Sequence, residues 1–554
     1  MGRRRHPRSR PPRKAASPAI VPPLPRSWAL VMLALVLVFT AAVRFRMLDA
    51  PLERDEGEYA YAGQLMLEGV PPYLAAYNMK FPGVYAAYAV VLALFGQSTR
   101  AIHWGLLAAN AIAIGLVYVL TKRFFGSFAG VVAAASYAIF SMSRSFLGMA
   151  AHATHFVVIP ALAGILLLLN AGERQRLWLL FSSGLCLGLA FLMKQHGAVF
   201  PLFGFAYLLS TTLRRRPAKD TLTGIAVFSA GVLVPLAVTC VALFSAGVFE
   251  RFRFWTVDYA RAYASEMPLR DAWHNLQSDF LPLLRPFRFL LLLAGLGLVS
   301  IWRKGEQRAR AIFLSAFLLV SLLSVVPGFW FREHYFILLL PPIAILVGAA
   351  ASSAVRLFAE WKLPAALCYG LSALLVGVAF GQSLLAQKDL LFHMSPYEAS
   401  RVAYGHNPFP EAVVIGRYIS THSRPDARVA VIGSEPEIYF YSHRRSATGY
   451  IYTYALMEHQ PYARRMQEEM IREIETARPE YLVIVSVWMS WLAREGSEKL
   501  ILDWFPRYAA EHYERVGVVD ILPSGTIYRW EGDAAGYSAQ SQFIVYVYRV
   551  RKQS

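Results

Sequence analysis

Long apolar stretches separated by short polar ones run through the first two thirds of the chain. Eleven of these stretches are close to the length of about 20 residues that a helix needs to cross the hydrocarbon core of a bilayer. The predicted spans are residues 28–47, 101–121, 126–142, 154–171, 177–193, 197–213, 222–245, 287–302, 310–327, 335–356 and 363–384. The apolar segment 83–96 is shorter, and we interpret it as a helix lying at the membrane interface.

The charges between these spans indicate an orientation. Every second connection is short and basic, and short cytoplasmic connections carry an excess of Lys and Arg. The basic connections contain Lys122-Arg123, Arg174 with Arg176, LRRRPAK (213–219), RKGEQRAR (303–310), and Arg356 with Lys362. We therefore predict a cytoplasmic N-terminus, and an outer-face location for everything after about residue 385.

After residue 385 the pattern changes to short segments that alternate between strand and helix periodicity. The predicted strands are RVAVIG (428–433), YLVIVSV (481–487), GTIYRW (525–530) and FIVYVYRV (543–550), and the predicted helices are 436–443 and 458–477. This order predicts a small α/β domain. Gly433-Ser434 follows a strand, but the absence of G-x-G-x-x-G disfavours a nucleotide site.

Composition supports a membrane protein and argues against a nucleic-acid-binding protein. Charged residues make up 16% of the chain, against about 25% in soluble proteins. The net charge of +19 comes from basic residues in the first 26 positions and in short connections, which is typical of membrane orientation rather than of nucleic-acid binding. Residues 1–27 are predicted to be a disordered basic cytoplasmic tail. The 3 cysteines lie in apolar stretches and indicate neither disulfides nor a metal site.

Two adjacent carboxylates, Asp55 and Glu56, follow the first predicted span in LERDEGEYAYAGQLMLEG (52–69). Carboxylates beside a bilayer are costly unless they are paired or functional. The residues from Tyr59 onward have helical periodicity, which places the pair at a helix start, where a carboxylate is held rigidly. A fixed carboxylate suits a general base that takes a proton from a hydroxyl. The alternative is a solvated turn anchored to Arg54.

Three cations lie on the same predicted outer face. Lys80 precedes Phe81-Pro82, where the proline restricts the chain to an extended geometry, and such a fixed lysine can hold a phosphate. Lys194 ends one span and Arg332 begins another on the side where positive charge is under-represented. Each cation alone is equally typical of an interfacial anchor. Their common location favours a binding site.

Other chemistries lack their required motifs. The chain contains no C-x-x-C, H-E-x-x-H, G-x-x-x-x-G-K-[ST] or G-x-S-x-G. His152 and His155 are three residues apart and could act as metal ligands, but the sequence offers no third ligand nearby. No cofactor requirement is predicted, and a divalent metal is left open without support from the sequence.

The pieces DEGEYAYAGQLMLEG (55–69) and MKFPGVYAAYAVVLALFG (79–96) resemble the GT-C glycosyltransferases. The likeness is to the family-39 type, which includes protein O-mannosyltransferases and the aminoarabinose transferase of lipid A. Weaker pieces are YVLTKRFFG (118–126), FLMKQHG (191–197) and FREHYFILLLPP (331–342). The resemblance implies a GT-C-like transmembrane catalytic domain at 28–384, with its first outer loop and interfacial helices at 48–100, and an extracytoplasmic α/β domain at 385–554.

The resemblance also implies an activity. Such enzymes pass a sugar from a polyprenyl-phosphate carrier to an acceptor hydroxyl on the outer face. The role of the base carries over to Asp55, that of a supporting acid to Glu56, and that of the ligand of the carrier phosphate to Lys80. We add Lys194 and Arg332 to the phosphate site because clustered cations stabilise the charge that develops on the leaving phosphate. Further candidate substrate contacts are Tyr59, His196, His334 and Tyr335.

Two positions depart from the family pattern. The usual K-P-P-L is KFPG here, with Phe81 and Gly83 at the changed positions. The acid that many relatives carry at the start of the fourth span is replaced by Thr154 in AHATHF (151–156). These changes leave the sugar and the acceptor open, and Thr154 weakens any case for a second catalytic acid or a metal.

The predicted partners are a polyprenyl-phosphate sugar donor, a lipid, glycan or protein acceptor, and membrane lipids, with no nucleic acid. Short connections favour a bacterial inner membrane, although an endoplasmic reticulum would give the same topology. A transporter or flippase is one alternative, although such proteins usually carry polar groups near mid-span and internal repeats, which are not found here. The others are a non-catalytic anchor for the α/β domain and a ligase that uses a pyrophosphate carrier.

Overall fold

A computed structural model of the protein describes residues 22–212, 217–303 and 308–551. Most of the predicted basic tail lies outside these residues, as do the central parts of two basic connections, 213–216 and 304–307. The statements below refer to the described residues.

Helices form the first 385 residues. Their bounds are α1 Arg26–Arg46, α2 Arg54–Leu67, α3 Pro82–Phe95, α4 Thr99–Phe125, α5 Ser127–Ser141, α6 Ala153–Arg174, α7 Leu177–Met193, α8 Val199–Thr212 and α9 Ala218–Ser245, followed by Arg288–Trp302, Arg308–Leu323, Leu340–Glu360 and Ala365–Leu385. Each predicted span overlaps one of these helices. Within the described ranges, 7 helical stretches are long and apolar enough to cross a membrane by length and composition.

The connection after α9, residues 246–286, contains no predicted span, yet much of it is helical. It consists of short helical segments, several of them with π-helical or 3₁₀ turns. Their bounds are Phe249–Arg253, Phe254–Tyr259, Ala260–Ala264, Leu269–His274, Asn275–Phe280 and Leu281–Phe287. Short segments with irregular turns do not produce the long apolar periodicity from which helices are predicted.

Small residues allow the helices of the bundle to pack closely. A Cβ at Gly184 or Gly188 on α7 would lie 2.1 and 2.3 Å from the carbonyl oxygens of Phe228 and Val232 on α9, which is closer than any real contact. Lipid tails are as apolar as leucine, so helices in a bilayer associate largely through such backbone approach and van der Waals packing. The glycines of α7 therefore allow this helix, which ends next to Lys194, to pack directly against α9.

Helix α2 begins with a complete capping box. The Glu53 side chain accepts a hydrogen bond from the Glu56 amide at 3.0 Å, and the Glu56 side chain accepts one from the Glu53 amide at 3.3 Å. This arrangement satisfies two amides that a helix start leaves without partners. Asp55 is consequently held in the first turn of a rigid helix.

Helix α3 begins at Pro82, after an extended Phe81, as the proline predicts. A Cβ at Gly83 would lie 2.4 Å from the carbonyl oxygen of Leu192 on α7. Only a residue without a side chain permits this contact, so the glycine that departs from the family pattern brings the start of α3 against the end of α7. Lys80 and Lys194 lie next to these two helix ends.

The predicted α/β domain follows the helical part. Its mixed sheet has the order β2-β1-β3-β6-β4-β5, with β1 parallel to β2 and β3 and the other pairs antiparallel. The strands are β1 Arg428–Ile432, β2 Arg445–Ser446, β3 Tyr481–Ser486, β4 Tyr513–Leu522, β5 Gly525–Trp530 and β6 Ile544–Val550, and the longer helices are Pro396–Tyr404, Phe409–His422, Ala463–Ala477 and Leu500–His512. The four predicted strands are present. The sequence did not predict β2 and β4.

The sheet domain and the helical part share one hydrophobic core. Buried side chains of α2 and α3 join those of β1, β3, β4 and β6 in a single cluster. Tyr61 on α2 lies against Tyr439, with ring centroids 5.1 Å apart. A Cβ at Gly57 would lie 2.6 Å from the Cβ of Glu437, so the two parts touch at backbone distance. The sheet domain is therefore packed directly onto the helix that carries Asp55.

Candidate active site

Asp55 and Lys80 form an ion pair at the start of α2. The Lys80 ammonium donates to Asp55 Oδ1 at 2.6 Å and to Glu58 Oε2 at 2.8 Å. The side chains of Asp55 and Lys80 remain 13% and 19% exposed, whereas that of Glu58 is almost completely buried. The pair is thus held firmly but stays open to a small part of the surrounding space.

Glu58 helps to hold the Lys80 ammonium next to Asp55, and its own carboxylate is held by two further hydrogen bonds. Glu58 Oε1 accepts a hydrogen bond from the Tyr85 hydroxyl at 2.6 Å. Glu58 Oε2, which also binds Lys80, accepts one from the Asn78 side-chain amide at 2.8 Å. The sequence analysis did not identify Glu58, although the signal was present. Glu58 lies three residues after Asp55 on the same helix, and residues at that spacing share a face.

The surroundings at the start of α2 shift the pKa values of Asp55 and Glu53 in opposite directions. Although burial raises it, the cation of Lys80 above all holds the pKa of Asp55 well below its usual range. Burial, together with the charge of Asp55, raises the pKa of Glu53 well above its usual value. Glu53 is therefore protonated where Asp55 is ionised. Carboxyl groups whose pKa values are driven apart in this way are typical of active sites.

Two histidines lie on the other side of Asp55. His152 Nδ1 is 3.9 Å and His334 Nε2 is 4.0 Å from Asp55 Oδ2, and the two rings stack with centroids 4.2 Å apart at 11°. Burial lowers the pKa of His152 to about 4, so that this imidazole is neutral. The sequence did not indicate that His334 lies next to His152. The two residues are far apart in the chain, and only the fold brings them together.

Asp55, His152 and His334 are of the residue types that bind Zn²⁺, and their nearest ligand atoms lie within 4.8 Å of one another. Both ring nitrogens of His152 lack a hydrogen-bond partner among the described residues. However, a metal lies in the plane of each imidazole that binds it, and the two ring planes here are nearly parallel. Lys80 also holds Asp55 Oδ1. As arranged, these residues do not fit a shared metal ion.

Lys194 and Tyr335, both predicted site residues, lie together. The Lys194 ammonium is 4.4 Å from the centroid of the Tyr335 ring, and no carboxylate within the described ranges pairs with it. Burial lowers the pKa of Lys194 to about 7, helped by the charge of Lys80 and opposed by that of Asp55. A half-buried cation without a counter-charge is a site for an anion.

Arg332 is a further cation without an acidic partner among the described residues. Its guanidinium lies 5.3 Å from the centroid of the Trp330 ring, and Trp330 stacks on Tyr263 with centroids 5.2 Å apart. The side chain is exposed, which leaves its hydrogen-bond donors available. Arg332 immediately precedes Glu333-His334 and so lies on the segment that brings His334 to Asp55.

Glu56 does not belong to this arrangement. It is 1% exposed, accepts a hydrogen bond from the Ala151 amide at 2.6 Å, and contacts His103 at 3.3 Å. Successive helical residues point about 100° apart, so the neighbour of Asp55 faces the bundle instead. The supporting role of Glu56 stays a prediction, and its observed contacts join the start of α2 to the segment before α6.

Two further predicted substrate contacts, Tyr59 and His196, lie near the predicted phosphate ligands. Tyr59 is 1% exposed and cannot reach a substrate, but its ring lies 4.7 Å from the Lys80 ammonium and supports it. His196 lies against Tyr335 with centroids 4.3 Å apart, and neither of its ring nitrogens has a hydrogen-bond partner within the described ranges. His196 thus remains next to the predicted phosphate site.

One residue of the site comes from the sheet domain. The Tyr452 hydroxyl lies 3.5 Å from Asp55 Oδ1, and the Lys80 ammonium is 5.2 Å from the centroid of the Tyr452 ring. No signal in the sequence relates Tyr452 to Asp55, because 396 residues separate them and neither lies in a motif that includes the other.

Comparison with known proteins found one matching family model and several similar folds. Residues 80–243 match the family model of dolichyl-phosphate-mannose-protein mannosyltransferases. Comparison with curated proteins gave no match. Solved structures match over nearly the whole chain.

Three of these structures are named here. ArnT from Cupriavidus metallidurans, bound to undecaprenyl phosphate, is 13% identical with a TM-score of 0.58, covering 95% of this chain and 98% of its own. The archaeal oligosaccharyltransferase AglB from Archaeoglobus fulgidus, in complex with an inhibitory peptide and a dolichol-phosphate, is 12% identical with a TM-score of 0.51, covering 93% and 75%. The arabinofuranosyltransferase AftD from Mycobacteria is 14% identical with a TM-score of 0.50, covering 96% and 40%.

The fold is therefore that of the GT-C glycosyltransferases, which confirms the class recognised from the sequence. Within this class, the match to the mannosyltransferase family model confirms the prediction of a membrane-bound glycosyltransferase, similar in fold to ArnT.

Proposed function

We propose that the protein transfers a sugar from a polyprenyl-phosphate carrier to an acceptor hydroxyl, with Asp55 as the general base. The observation that carries this proposal is the ionised, partly exposed Asp55, paired with Lys80 beside two cations that lack acidic partners within the described residues. An ionised carboxylate accepts a proton, and adjacent cations stabilise a phosphate leaving group. One small region thus offers both functions that the reaction needs.

The two oxygens of Asp55 have different surroundings. Lys80 binds Oδ1, whereas Oδ2 faces His152 and His334 at 3.9 and 4.0 Å and has no hydrogen bond within the described residues. Oδ2 is therefore the oxygen that takes the acceptor proton. The acceptor oxygen then attacks the anomeric carbon, the bond from that carbon to the phosphate oxygen breaks, and the carrier phosphate leaves with the bonding electrons.

The cations receive this leaving group. Lys80 is held by Asp55 and Glu58, and it keeps one ammonium hydrogen for a phosphate oxygen. Lys194 and Arg332 supply further positive charge without a competing carboxylate among the described residues. The carrier-bound structures of ArnT and AglB, with undecaprenyl phosphate and a dolichol-phosphate, support a polyprenyl-phosphate donor. The acceptor is a lipid, a glycan or a protein.

We propose further that the site lies on the outer face of a bacterial inner membrane and that the reaction needs no metal. The parallel rings of His152 and His334 and the Lys80–Asp55 pair support the second point. Lys80 supplies the positive charge that a divalent ion would otherwise bring to the phosphate.

The decisive experiment measures transfer from radiolabelled polyprenyl-phosphate sugars in membranes that carry the native chain or Asp55→Asn. The substitution keeps the size of the side chain and removes the base, so transfer is expected to fall by about 10²–10⁴-fold at equal protein level. The matched control is Asp49→Asn. Asp49 is nearby but 66% exposed, and it pairs only loosely with Arg100 at 3.6 Å, so native rates are expected.

Each reaction is run with and without EDTA. Equal transfer by Asp55→Asn and native protein would reject Asp55 as the base. Loss of native transfer with EDTA and its recovery with added Zn²⁺ or Mn²⁺ would reject the metal-free reaction. No transfer by the native chain with any donor, together with uptake of a lipid-linked substrate into vesicles, would favour a transporter instead.

A further inference from the structure

Arg54, the residue before Asp55, is bound entirely by the sheet domain. Its guanidinium donates to the Ser434 carbonyl at 2.5 Å, the Tyr454 hydroxyl at 2.7 Å, Asn407 Oδ1 at 2.9 Å and Glu435 Oε1 at 3.0 Å. Arg54 and Glu435 are both buried, so the ion pair between them depends on its geometry being kept. The first turn of α2 therefore has a fixed position relative to the sheet domain.

The Lys80 ammonium lies close to two aromatic rings that come from different parts of the protein. It is 4.7 Å from the centroid of the Tyr59 ring on α2 and 5.2 Å from that of the Tyr452 ring in the sheet domain. Aromatic faces attract cations most strongly where water is excluded. The two rings and the carboxylates of Asp55 and Glu58 together surround the ammonium with four contacts.

The backbone around Tyr452 is itself held in place. The Thr453 amide donates to the Ser434 hydroxyl at 2.9 Å, and the Thr453 hydroxyl donates to the Ser490 carbonyl at 3.1 Å. Tyr450, two residues earlier, is buried in a separate hydrophobic cluster with Tyr77 and Trp255, and its hydroxyl donates to Glu469 at 2.9 Å. Tyr452 is thus directed toward the ion pair by the same loop that holds Arg54.

We propose that the sheet domain completes the active site, with Tyr452 as a positioning residue that holds Lys80 and Asp55 in their reactive arrangement and Arg54 as the anchor that sets its position. The ring limits the movement of Lys80, and the hydroxyl adds a polar contact to Asp55 Oδ1, so that Oδ2 stays directed toward the acceptor. This inference rests on the proposed function for the reaction that it serves, but its geometry can be tested without that reaction.

The first test measures how readily Lys80 reacts with an amine-specific acylating reagent in the detergent-solubilised full chain, by mass spectrometry of the peptide that contains it. Tyr452→Ala removes the covering ring, and we expect acylation of Lys80 to increase several-fold. Tyr452→Phe keeps the ring and should behave like the native chain. Tyr450→Phe is the matched control in the same segment, because the Tyr450 hydroxyl contacts Glu469 rather than Asp55. Unchanged acylation in Tyr452→Ala would overturn the proposal.

The second test separates kcat from the KM for the donor. Tyr452→Phe loses only the hydroxyl contact with Asp55, so kcat is expected to fall about tenfold while the donor KM stays unchanged. Tyr452→Ala is expected to lower kcat further and also to raise the donor KM, because Lys80 is no longer held. If Tyr452 were needed only for folding, the substitutions would reduce the amount of folded enzyme without these separate effects on kcat and on the donor KM. Equal kcat values for Tyr452→Phe and Tyr450→Phe would contradict the proposal.

The two tests also separate this inference from the proposed function. If the native chain transfers no sugar but acylation of Lys80 responds as expected, the positioning by Tyr452 stands and the reaction is wrong. If transfer depends on Asp55 but neither Lys80 acylation nor kinetics respond to Tyr452, the reaction stands and the sheet domain does not complete its site.

Discussion

Asp55 and Glu56 are neighbours in the chain but have different surroundings. Asp55 faces Lys80 and a partly open space, whereas Glu56 is enclosed and hydrogen-bonded to the segment before α6. The sequence identified the acidic pair and Lys80, since polar groups next to an apolar span are conspicuous. Periodicity alone could not rank the two acids, because a helix boundary uncertain by one residue turns the assigned face by about 100°, and only the family resemblance assigned the base to Asp55.

The site residues that the sequence analysis did not assign to the site are brought to it by the fold. Glu58 was within reach of a helical-face argument. His152 was considered only as a metal ligand, and its contact with Asp55 depends on how α6 begins. Tyr452 is brought in by the docking of a separate domain. Contacts of this last kind require tertiary packing, which no periodicity in a single sequence contains.

Lys194 gives the site a pH dependence. Since burial lowers the pKa of its ammonium to about 7, the free enzyme loses this positive charge as the pH rises above 7. We expect kcat/KM for the donor to decline above about pH 7, while kcat changes less, because bound phosphate keeps Lys194 protonated.

Lys194→Arg tests this expectation, since arginine stays charged throughout the range. Donor kcat/KM measured from pH 6 to 9 should lose its decline in this variant. Lys80 is not expected to contribute a similar decline, because, against the effect of burial, Asp55 and Glu58 raise its pKa well above the ordinary value. A decline that persists unchanged in Lys194→Arg would assign it to another group.

At the level of elements, the membrane helices were the most predictable part of the molecule. A span must be long and continuously apolar, so its signal is strong and local. The segments after α9 and the strands β2 and β4 were missed for the opposite reason. They are short or irregular, β2 consisting of Arg445–Ser446 alone, and the surrounding fold rather than the local pattern decides their conformation.

The contact between α3 and α7 makes a prediction about Gly83. Because a Cβ would meet the Leu192 carbonyl at 2.4 Å, Gly83→Ala must push the two helices apart. We expect a loss of about 1–3 kcal/mol in stability, as is typical of overpacking. Transfer should also fall, since Lys80 and Lys194 lie at the ends of these helices.

Gly115→Ala on α4 is the matched control, because nothing lies within 4 Å of its added Cβ. In a helix interior this change is neutral or stabilises by up to about 1 kcal/mol. The measurement is the thermal unfolding of both purified variants beside the native protein. A Gly83→Ala variant as stable and as active as Gly115→Ala would show that the contact does not hold α3 in place.

On the scale of the whole molecule, the sequence predicted a membrane part and an outer α/β domain but not their shared core. Both parts look complete on their own, since each has its own apolar pattern. The contact surface consists of buried polar and aromatic groups, such as Arg54 with Glu435, that appear in the sequence as ordinary surface residues. Interfaces of this composition do not differ from exposed surface until a partner is known.

The orientation of the molecule can be tested with single cysteines. Asp533 is exposed on the sheet domain, and Glu173 is exposed near the far end of α6, about 30 Å along the helix from His152. We expect a membrane-impermeant maleimide to label Asp533→Cys in intact cells and Glu173→Cys only after permeabilisation. The native chain, whose cysteines lie within apolar helices, gives the background. The reverse pattern would place the site on the cytoplasmic face.

The position of β6 sets the order in which this active site can be assembled. Although Ile544–Val550 lies near the end of the described chain, the strand occupies the interior of the sheet, between β3 and β4. During synthesis the membrane helices emerge first. The strands β1 to β3 and the strands β4 and β5 can join into one sheet only after β6 has been made. The loops that hold Arg54 and present Tyr452 belong to that sheet. The proposed catalytic arrangement can therefore be completed only after Ile544–Val550 has been synthesised, because without this strand the sheet that carries both loops lacks the connection between its two halves.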